Sequence, residues 1–220
     1  MEWKCGAFEF LGTRFHAWHF DGSDDSGSTH APPAAPPCLA SLDRAEGEIG
    51  AVLWAEAAHA MLRWLEPTAR RASFRGCRVL ELGAGCGFVG LALAACGARV
   101  TLTDKAVLAP LLELNASLAR EQGRDVEVRV LDWAAPLPAD LPSFDLVVGC
   151  DLLYGDTPFE GLRSVVGRVV AAGTTAFRLA VNKRDQLAGM ARFVGMLEAD
   201  FTCEQAEVDD VAMLVAQRRG

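Results

Sequence analysis

The fold of this chain is decided by Val79–Gly90, which reads VLELGAGCGFVG. Three apolar residues, Val79, Leu80 and Leu82, are followed by four glycines within the eight residues 83–90. An apolar helical pattern then runs over 88–95. Glycine adopts positive φ and leaves room for a ligand beside the backbone. This succession of strand, glycine turn and helix is therefore typical of the first half of a nucleotide-binding βαβ unit.

The composition describes a single globular domain. The 220 residues are 51% hydrophobic and 23% charged, which suits one well-packed core and is short for two domains. No apolar run approaches the ~18 residues of a membrane span. The N-terminal sequence MEWK lacks the basic and apolar regions of a secretory signal. We therefore expect no membrane partner and a cytoplasmic location, with the nucleus as the alternative.

The net charge and the cysteine spacing argue against nucleic acid and metal ions as partners. The formal net charge is −8 and no basic run is longer than Arg70-Arg71, so general nucleic-acid binding is not expected. The seven cysteines lack CxxC spacing, and the four histidines do not pair with them at zinc-like intervals. We predict free thiols in a reducing compartment and no bound metal.

The N-terminal region differs from the rest of the chain. Residues 6–20 alternate and are rich in aromatic side chains, which predicts a β-hairpin within residues 1–20. Residues 21–37 read DGSDDSGSTHAPPAAPP, a low-complexity composition that predicts a disordered loop. Residues 38–220 are predicted to form the main domain.

Strand and helix patterns alternate through that main domain. Helical periodicity begins at 49 and runs to 65, and Pro67 is predicted to end this helix. The result is an α/β fold: a doubly wound, seven-stranded, mostly parallel sheet with an antiparallel C-terminal edge. Further helices are predicted at 88–96, 105–120, about 158–170 and 186–199. Strands are predicted at 77–82, 99–103, 126–131, 144–149, 174–181, 201–208 and 211–217.

Successive parallel strands end in residues that suit a nucleoside ligand. Ligands bind at the carboxyl ends of the strands in such sheets, so we expect these residues to form one site. An acid can accept both ribose hydroxyls, and an indole offers a flat apolar face to a purine. Glu81, just before the turn, is predicted to hold the loop or to meet an ammonium group through water. The strand-end residues are Gly83, Ala84, Gly85, Asp104, Asp132, Trp133, Cys150, Asp151 and Tyr154.

Dinucleotide binding is the first alternative. The segment 85–90 matches G-x-G-x-x-G, and Asp104 lies at about the expected distance. The match begins two residues late, however, because Gly83 is the first glycine after the strand. This alternative also gives no role to Asp132-Trp133 or to Asp151–Tyr154.

Together, these motifs resemble those of a known family. Glu81–Gly85 followed by Gly87 resembles motif I of the seven-β-strand S-adenosylmethionine-dependent methyltransferases, and Thr103-Asp104 resembles the acidic end of their second strand. Further segments resemble the narrower lysine methyltransferase-like group, methyltransferase family 16, and the similarity runs over about 47–163. These segments are Val52–Ala58, Leu108–Asn115, Leu131–Trp133 and Asp145–Tyr154.

The resemblance implies S-adenosylmethionine as the cofactor and a protein lysine as the methyl acceptor. It implies that Asp151 and Tyr154 border the substrate lysine, so we predict these two as catalytic. It also suggests a chaperone or a translation factor as substrate, and we expect a monomer. One departure is Leu152-Leu153, where relatives usually have a β-branched residue; another is the long loop at 21–37. The predicted cofactor residues are Trp54, Glu81, Gly83, Ala84, Gly85, Asp104, Asp132, Trp133 and Cys150.

Two other functions stay open at this point. A methyltransferase acting on a base or a small molecule is one, although base amino-methyltransferases commonly carry two prolines where this chain has Leu152-Leu153. A catalytically idle binding module of the same fold is the other. Intact Gly83, Gly85, Asp104 and Trp133 weigh against it.

Overall fold

The computed structural model describes residues 2–21, 51–53, 55–155, 157–171 and 175–220. Within these ranges strands and helices alternate as predicted, and every strand boundary of the main domain lies within two residues of its predicted place. A short 3₁₀ turn, Ala106–Leu108, precedes the third helix. The elements are β1 (Glu2–Phe10), β2 (Thr13–Asp21), α1 (Ala55–Ala72), β3 (Arg78–Leu82), α2 (Phe88–Ala95), β4 (Arg99–Asp104), α3 (Ala109–Glu121), β5 (Asp125–Val130), β6 (Leu146–Cys150), α4 (Phe159–Val169), β7 (Ala176–Asn182), α5 (Lys183–Leu197), β8 (Phe201–Val208) and β9 (Val211–Arg218).

The main sheet has seven strands in the order β5-β4-β3-β6-β7-β9-β8. The pairs from β5 to β7 are parallel, and β9 runs antiparallel to both β7 and β8. The predicted doubly wound sheet with an antiparallel C-terminal edge is confirmed. Because β3 is central, the glycine turn that follows it lies in the middle of the carboxyl edge.

The core lies on both faces of this sheet. Successive residues of β3 belong to different apolar clusters: Val79 packs with α1, α2 and α3, and Leu80 packs with α4 and α5. Both side chains are fully buried. A strand buried on both faces reads as a continuous apolar run, which is why the strand predictions succeeded here.

The N-terminal hairpin is confirmed and packs against the main domain. Leu11 and Gly12 both have positive φ, of 51° and 76°, as a two-residue type I′ turn requires. The Phe88 ring at the start of α2 lies edge-on to Phe8 and Phe15, with centroid distances of 4.8 and 5.2 Å. Apart from Asp21, the segment 21–37 lies outside the described residues.

The prediction that Pro67 ends the first helix is wrong. Helix α1 continues to Ala72, and Ser73 N–H still donates to Ala69 C=O at 3.0 Å. Pro67 is exposed, so its ring projects into solvent and the missing N–H leaves no buried carbonyl group without a partner. The helix begins at Ala55 and not at the predicted residue 49, since residues 52 and 53 are not helical.

Candidate active site

Four parallel strands bring the predicted strand-end residues to one edge of the sheet. Leu82, the last residue of β3, is paired with Thr103 of β4 and Gly149 of β6. Asp104 is paired with Val130, the last residue of β5. The glycine turn, Asp104, Asp132-Trp133 and Cys150-Asp151 therefore leave their strands side by side.

The glycine turn needs glycine at Gly83 for two reasons. Its φ is +57°, a conformation that L side chains rarely adopt. A Cβ at this position would also lie 2.6 Å from Leu152 Cδ2 and 3.2 Å from Trp133 Cη2. The turn itself is held by backbone bonds, since Ala84 N–H donates to Thr103 C=O and Gly87 N–H donates to Ala84 C=O. The turn is thus packed directly against Trp133, a predicted site residue, and against Leu152 of the Asp151–Tyr154 loop.

Glu81 is placed beneath the turn. Its side chain is 4% exposed, and Oε2 accepts from Gly90 N–H at 2.7 Å. Burial raises the pKa of this carboxyl group to about 8, against the lowering effect of the N–H groups of Gly90 and Val89. A Cβ at Gly90 would lie 2.6 Å from Oε2, so glycine is required for this approach. Of the two roles predicted for Glu81, this geometry corresponds to holding the loop.

Asp104 lies against the same turn from the neighbouring strand. Its Oδ2 accepts from Gly85 N–H at 2.8 Å, and Oδ1 accepts from Lys105 N–H at 2.7 Å. Burial raises its pKa, and those two N–H groups and the Lys105 charge oppose the rise. Each carboxylate oxygen can accept a further hydrogen bond, so both could take a ribose hydroxyl without losing these contacts.

Trp133 forms the side of the candidate site that lies next to β5. Its indole lies against Gly83, and its carbonyl oxygen is so close to α4 that a Cβ at Gly161 would lie 1.7 Å from it. The preceding Asp132 closes its own turn by accepting from Ala134 N–H at 2.9 Å. The indole Nε1 is buried and has no hydrogen-bond partner among the described residues. A buried donor of this kind is satisfied at low cost by a ligand acceptor.

Cys150 is the last residue of β6, and Asp151 follows it. Burial raises the pKa of the Cys150 thiol well above its usual range, so the group is neutral at physiological pH. Asp151 has φ +52°, and its Oδ1 accepts from Asn182 N–H at 2.7 Å and from Gln186 Nε2 at 3.0 Å. Two donors on one oxygen fix the direction of the carboxylate.

The rest of the Asp151–Tyr154 loop is packed inward. Leu152 and Leu153 are each 3% exposed, whereas Tyr154 is 42% exposed. Thr157 Oγ1 donates to the carbonyls of Leu152 and Tyr154, at 2.8 and 2.7 Å. The two leucines thus serve as core residues. The loop is closely packed even though relatives usually have a β-branched residue here.

Three residues at this edge were missed from the sequence. Gln186 contacts Asp151 and the loop backbone, Asn182 donates to Asp151 from its main chain, and Asn182 Nδ2 donates to Glu56 Oε2 at 2.6 Å. The available signal was Asn182 itself, which caps α5 by accepting from Arg184 N–H. Trp54, a predicted cofactor residue, lies outside the described residues. Within the described ranges, no cluster of His, Cys, Asp and Glu could hold a metal ion, and no helix is long and apolar enough to cross a membrane.

The residues present fit S-adenosylmethionine. The turn at Gly83 and Gly85 presents backbone rather than side chains, the Asp104 carboxylate lies beside it, and Trp133 carries a buried donor without a partner. The neutral Cys150 thiol adds no charge to this edge. These are the groups that a nucleoside with a charged amino-acid tail requires.

Comparisons with known proteins agree with this geometry. A family model described as "Lysine methyltransferase" matches residues 36–200. The chain is 34% identical over 177 residues to the protein N-lysine methyltransferase METTL21A of Mus musculus, covering 78% of each chain. It is 29% identical over 162 residues to the mouse EEF1A lysine methyltransferase 3, covering 74% of this chain and 68% of that one.

Solved structures agree on the fold. The T. thermophilus 16S rRNA N2 G1207 methyltransferase RsmC, determined with AdoMet and guanosine, has a TM-score of 0.60 at 19% identity and covers 100% of this chain and 51% of its own. At this identity the likeness concerns the fold alone. Family match, relatives and fold converge: the chain belongs to the lysine methyltransferase family, whose members take the methyl group that they transfer from S-adenosylmethionine.

Proposed function

We propose that this chain transfers a methyl group to a lysine side chain of a protein, at the edge formed by the glycine turn and Asp151–Tyr154. The observation that carries the proposal is the packing of these two segments on each other. Leu152 fills the space beside Gly83, so the loop that begins at Asp151 packs directly on the predicted cofactor turn. A cofactor site and an acidic acceptor site are then neighbours.

The chain's own groups suit the cofactor in separate ways. Backbone at Gly83 and Gly85 admits its amino-acid part, Asp104 accepts its ribose hydroxyls, and Trp133 borders its base. When bound, S-adenosylmethionine supplies an electrophilic methyl group on a sulfonium. No covalent enzyme intermediate is required, so the protein's contribution is alignment and the exclusion of water.

The acceptor lysine must be neutral before it attacks. An ordinary lysine has a pKa of about 10.4, so losing its proton at pH 7 costs about 4–5 kcal/mol. A desolvated site favours the neutral amine. Asp151, fixed by Asn182 and Gln186, accepts an N–H of that amine and orients its lone pair. Tyr154 lines the entrance with its exposed ring and hydroxyl.

A protein is a better substrate for this edge than a nucleic acid. The two leucines of the loop are buried core residues, so they form no stacking slot for a flipped base. The net charge of −8 repels a phosphate backbone and attracts a basic segment. The name of the mouse relative that acts on EEF1A favours a translation factor as substrate. We place the chain in the cytoplasm, as a monomer.

One labelling experiment tests this function. The chain is incubated with a whole-cell protein extract and radiolabelled S-adenosylmethionine, and labelled bands are mapped by mass spectrometry. We expect label on lysine of one or a few proteins. Label confined to RNA or small metabolites would contradict the protein-lysine assignment. If calorimetry detected no binding of S-adenosylmethionine, the chain would be an idle module.

A further inference from the structure

Gln186 connects helix α5 to the loop that carries the predicted catalytic residues. Its side chain is 4% exposed and uses both ends of the amide. Oε1 accepts from Leu153 N–H at 3.0 Å, and Nε2 donates to Asp151 Oδ1 at 3.0 Å. Only one orientation of the amide satisfies both partners, because the carbonyl end must face the N–H and the NH₂ end must face the carboxylate.

The start of α5 is built close to this loop. Gly189, one turn after Gln186, lies so near that a Cβ there would be 2.5 Å from the Leu153 carbonyl oxygen. Asn182, the residue before the helix, donates its N–H to the same Asp151 oxygen at 2.7 Å. The helix therefore reaches the loop through a side chain, a backbone N–H and a close backbone packing contact.

This support matters because the loop starts from an uncommon backbone conformation. Asp151 has φ +52°, in the left-handed region that aspartate adopts more readily than most L residues. Such conformations persist where surrounding contacts over-determine them. Gln186 is the side-chain donor to Asp151 Oδ1, and the Asn182 N–H donates to the same oxygen from the main chain.

We propose that Gln186 is a positioning residue for methyl transfer: it sets the direction of the Asp151 carboxylate by donating to Oδ1 while its oxygen holds the Leu153 amide. The inference rests on the function proposed above. The hydrogen bonds described for Gln186 go to Leu153 and Asp151 and not to the glycine turn, so its loss should lower the rate and leave cofactor binding intact.

Two substitutions separate the two ends of the amide. Gln186→Met keeps the length of the side chain and removes both hydrogen bonds. Gln186→Glu keeps an oxygen for Leu153 N–H and replaces the donor to Asp151 by a second carboxyl group. Gln122→Met, at an exposed position after α3, is the matched control.

Four quantities are measured for each variant: the labelling rate of the extract proteins at saturating S-adenosylmethionine, the KM for the cofactor, its calorimetric Kd, and the hydrogen exchange of the Leu153 amide. For Gln186→Met we expect a rate lowered up to about 100-fold, cofactor constants unchanged within about twofold, and faster exchange. For Gln186→Glu we expect the same loss of rate with Leu153 still protected. Gln122→Met should match the wild type.

The outcomes distinguish this inference from the proposed function. Wild-type rates in both Gln186 variants, or a loss explained entirely by weaker cofactor binding, would overturn the positioning role. If the wild type labelled no protein, the proposed function would fall. Slow exchange at Leu153 in Gln186→Met would then also overturn the hydrogen-bonding part of the inference, and fast exchange would support that part. If Gln186→Met does not fold, the isosteric Gln186→Glu carries the test.

Discussion

At the scale of single residues, the most informative position is Asp151. Its backbone φ is positive, and it lies directly after a buried strand. Its Oδ1 accepts hydrogen bonds from two donors, Asn182 N–H and Gln186 Nε2. Asparagine tolerates the same backbone conformation, whereas alanine would add its own strain. A substitution that removes the charge and keeps the backbone is therefore the better test of its role.

We predict that Asp151→Asn lowers the methylation rate by about 10- to 100-fold and leaves binding of S-adenosylmethionine and the melting temperature near wild type. The amide oxygen still accepts from Asn182 and Gln186, but the second carboxylate oxygen becomes an NH₂ group, which cannot accept an N–H of the acceptor amine. Labelling assays and calorimetry check this. Asp210→Asn is the control, because Asp210 also has positive φ, of 65°, and lies in the exposed β8–β9 turn. Equal rates in both variants would contradict the role of Asp151.

Gly83 allows a second test at this scale. Gly83→Ala must adopt a φ of +57° and must displace Leu152 Cδ2, 2.6 Å from the new Cβ. Gly76→Ala is the control, since its φ is +75° and nothing lies within 4 Å of its Cβ. Both variants should lose about 1–2 kcal/mol of unfolding free energy through backbone strain. Only Gly83→Ala should also lose cofactor affinity, measured by calorimetry. Equal effects of the two would contradict the packing role assigned to Gly83.

Site residues could be predicted from the sequence where a nearby strand indicates their position, and not where their partners lie far away along the chain. Asp104, Trp133 and Asp151 were predictable because each follows a strand, and the ends of parallel strands share one edge. Gln186 was not, because its partners lie 33 and 35 residues away and its helix reads as an ordinary amphipathic segment. Nothing local distinguishes a glutamine that bridges two segments from one that faces water.

At the scale of elements, one buried asparagine contributes three hydrogen bonds that join the hairpin and the glycine turn to α3. Asn115, fully buried on α3, accepts from Trp18 N–H at 2.6 Å and donates from Nδ2 to Trp18 C=O at 2.8 Å. The same Nδ2 donates to Cys86 C=O in the glycine turn, also at 2.8 Å. Asn115 therefore joins β2 and the predicted cofactor turn to one helix.

We predict that Asn115→Leu destabilises the fold by about 2–5 kcal/mol, because three buried backbone groups lose their partner. The Trp18 amide should exchange faster, and cofactor affinity should fall because the turn is no longer held at Cys86. Urea unfolding, hydrogen exchange and calorimetry measure the three effects. Gln122→Leu, exposed just after the same helix, should change none of them. Unchanged Trp18 exchange in Asn115→Leu would contradict the attachment.

Element boundaries show where sequence patterns were sufficient and where they failed. Strands buried on both faces were recognised from continuous apolar runs, and the hairpin from alternating aromatic residues. The prediction at Pro67 was wrong because proline ends a helix mainly by lacking the N–H that would donate to the carbonyl four residues earlier. That loss is tolerated on the exposed side of a helix whose other face is buried. Whether a face is exposed depends on tertiary packing, which the local pattern does not contain.

At the scale of the whole molecule, the topology collects acidic groups beneath one edge. Glu81 and Asp104 are close enough that the Asp104 charge contributes to the raised pKa of Glu81, after the larger effect of burial. The pKa of Asp104 is itself raised by burial. Because burial raises the pKa of these carboxyl groups, the free energy of unfolding must fall as they ionise.

The pH dependence of stability follows from the sign of these shifts. Glu81 has a folded pKa of about 8 against an ordinary value of 4.5, so the folded state binds the proton more tightly than the unfolded state. Its contribution is complete below about pH 4.5, is lost as the pH rises towards 8, and stays constant above that. The upper limit of the slope is about 1.4 kcal/mol per pH unit. Asp104 acts in the same direction.

We therefore predict that Glu81→Gln removes most of this slope. The amide oxygen still accepts from Gly90 N–H, and the side chain can no longer ionise. Relative to wild type, the variant should gain unfolding free energy between pH 5 and pH 8, as measured by urea unfolding at each pH. Glu204→Gln, on the exposed face of β8, should follow the wild-type curve. If Glu81→Gln kept the wild-type slope, the loss of stability towards alkaline pH would have to come from other buried groups, with Asp104 the first to test.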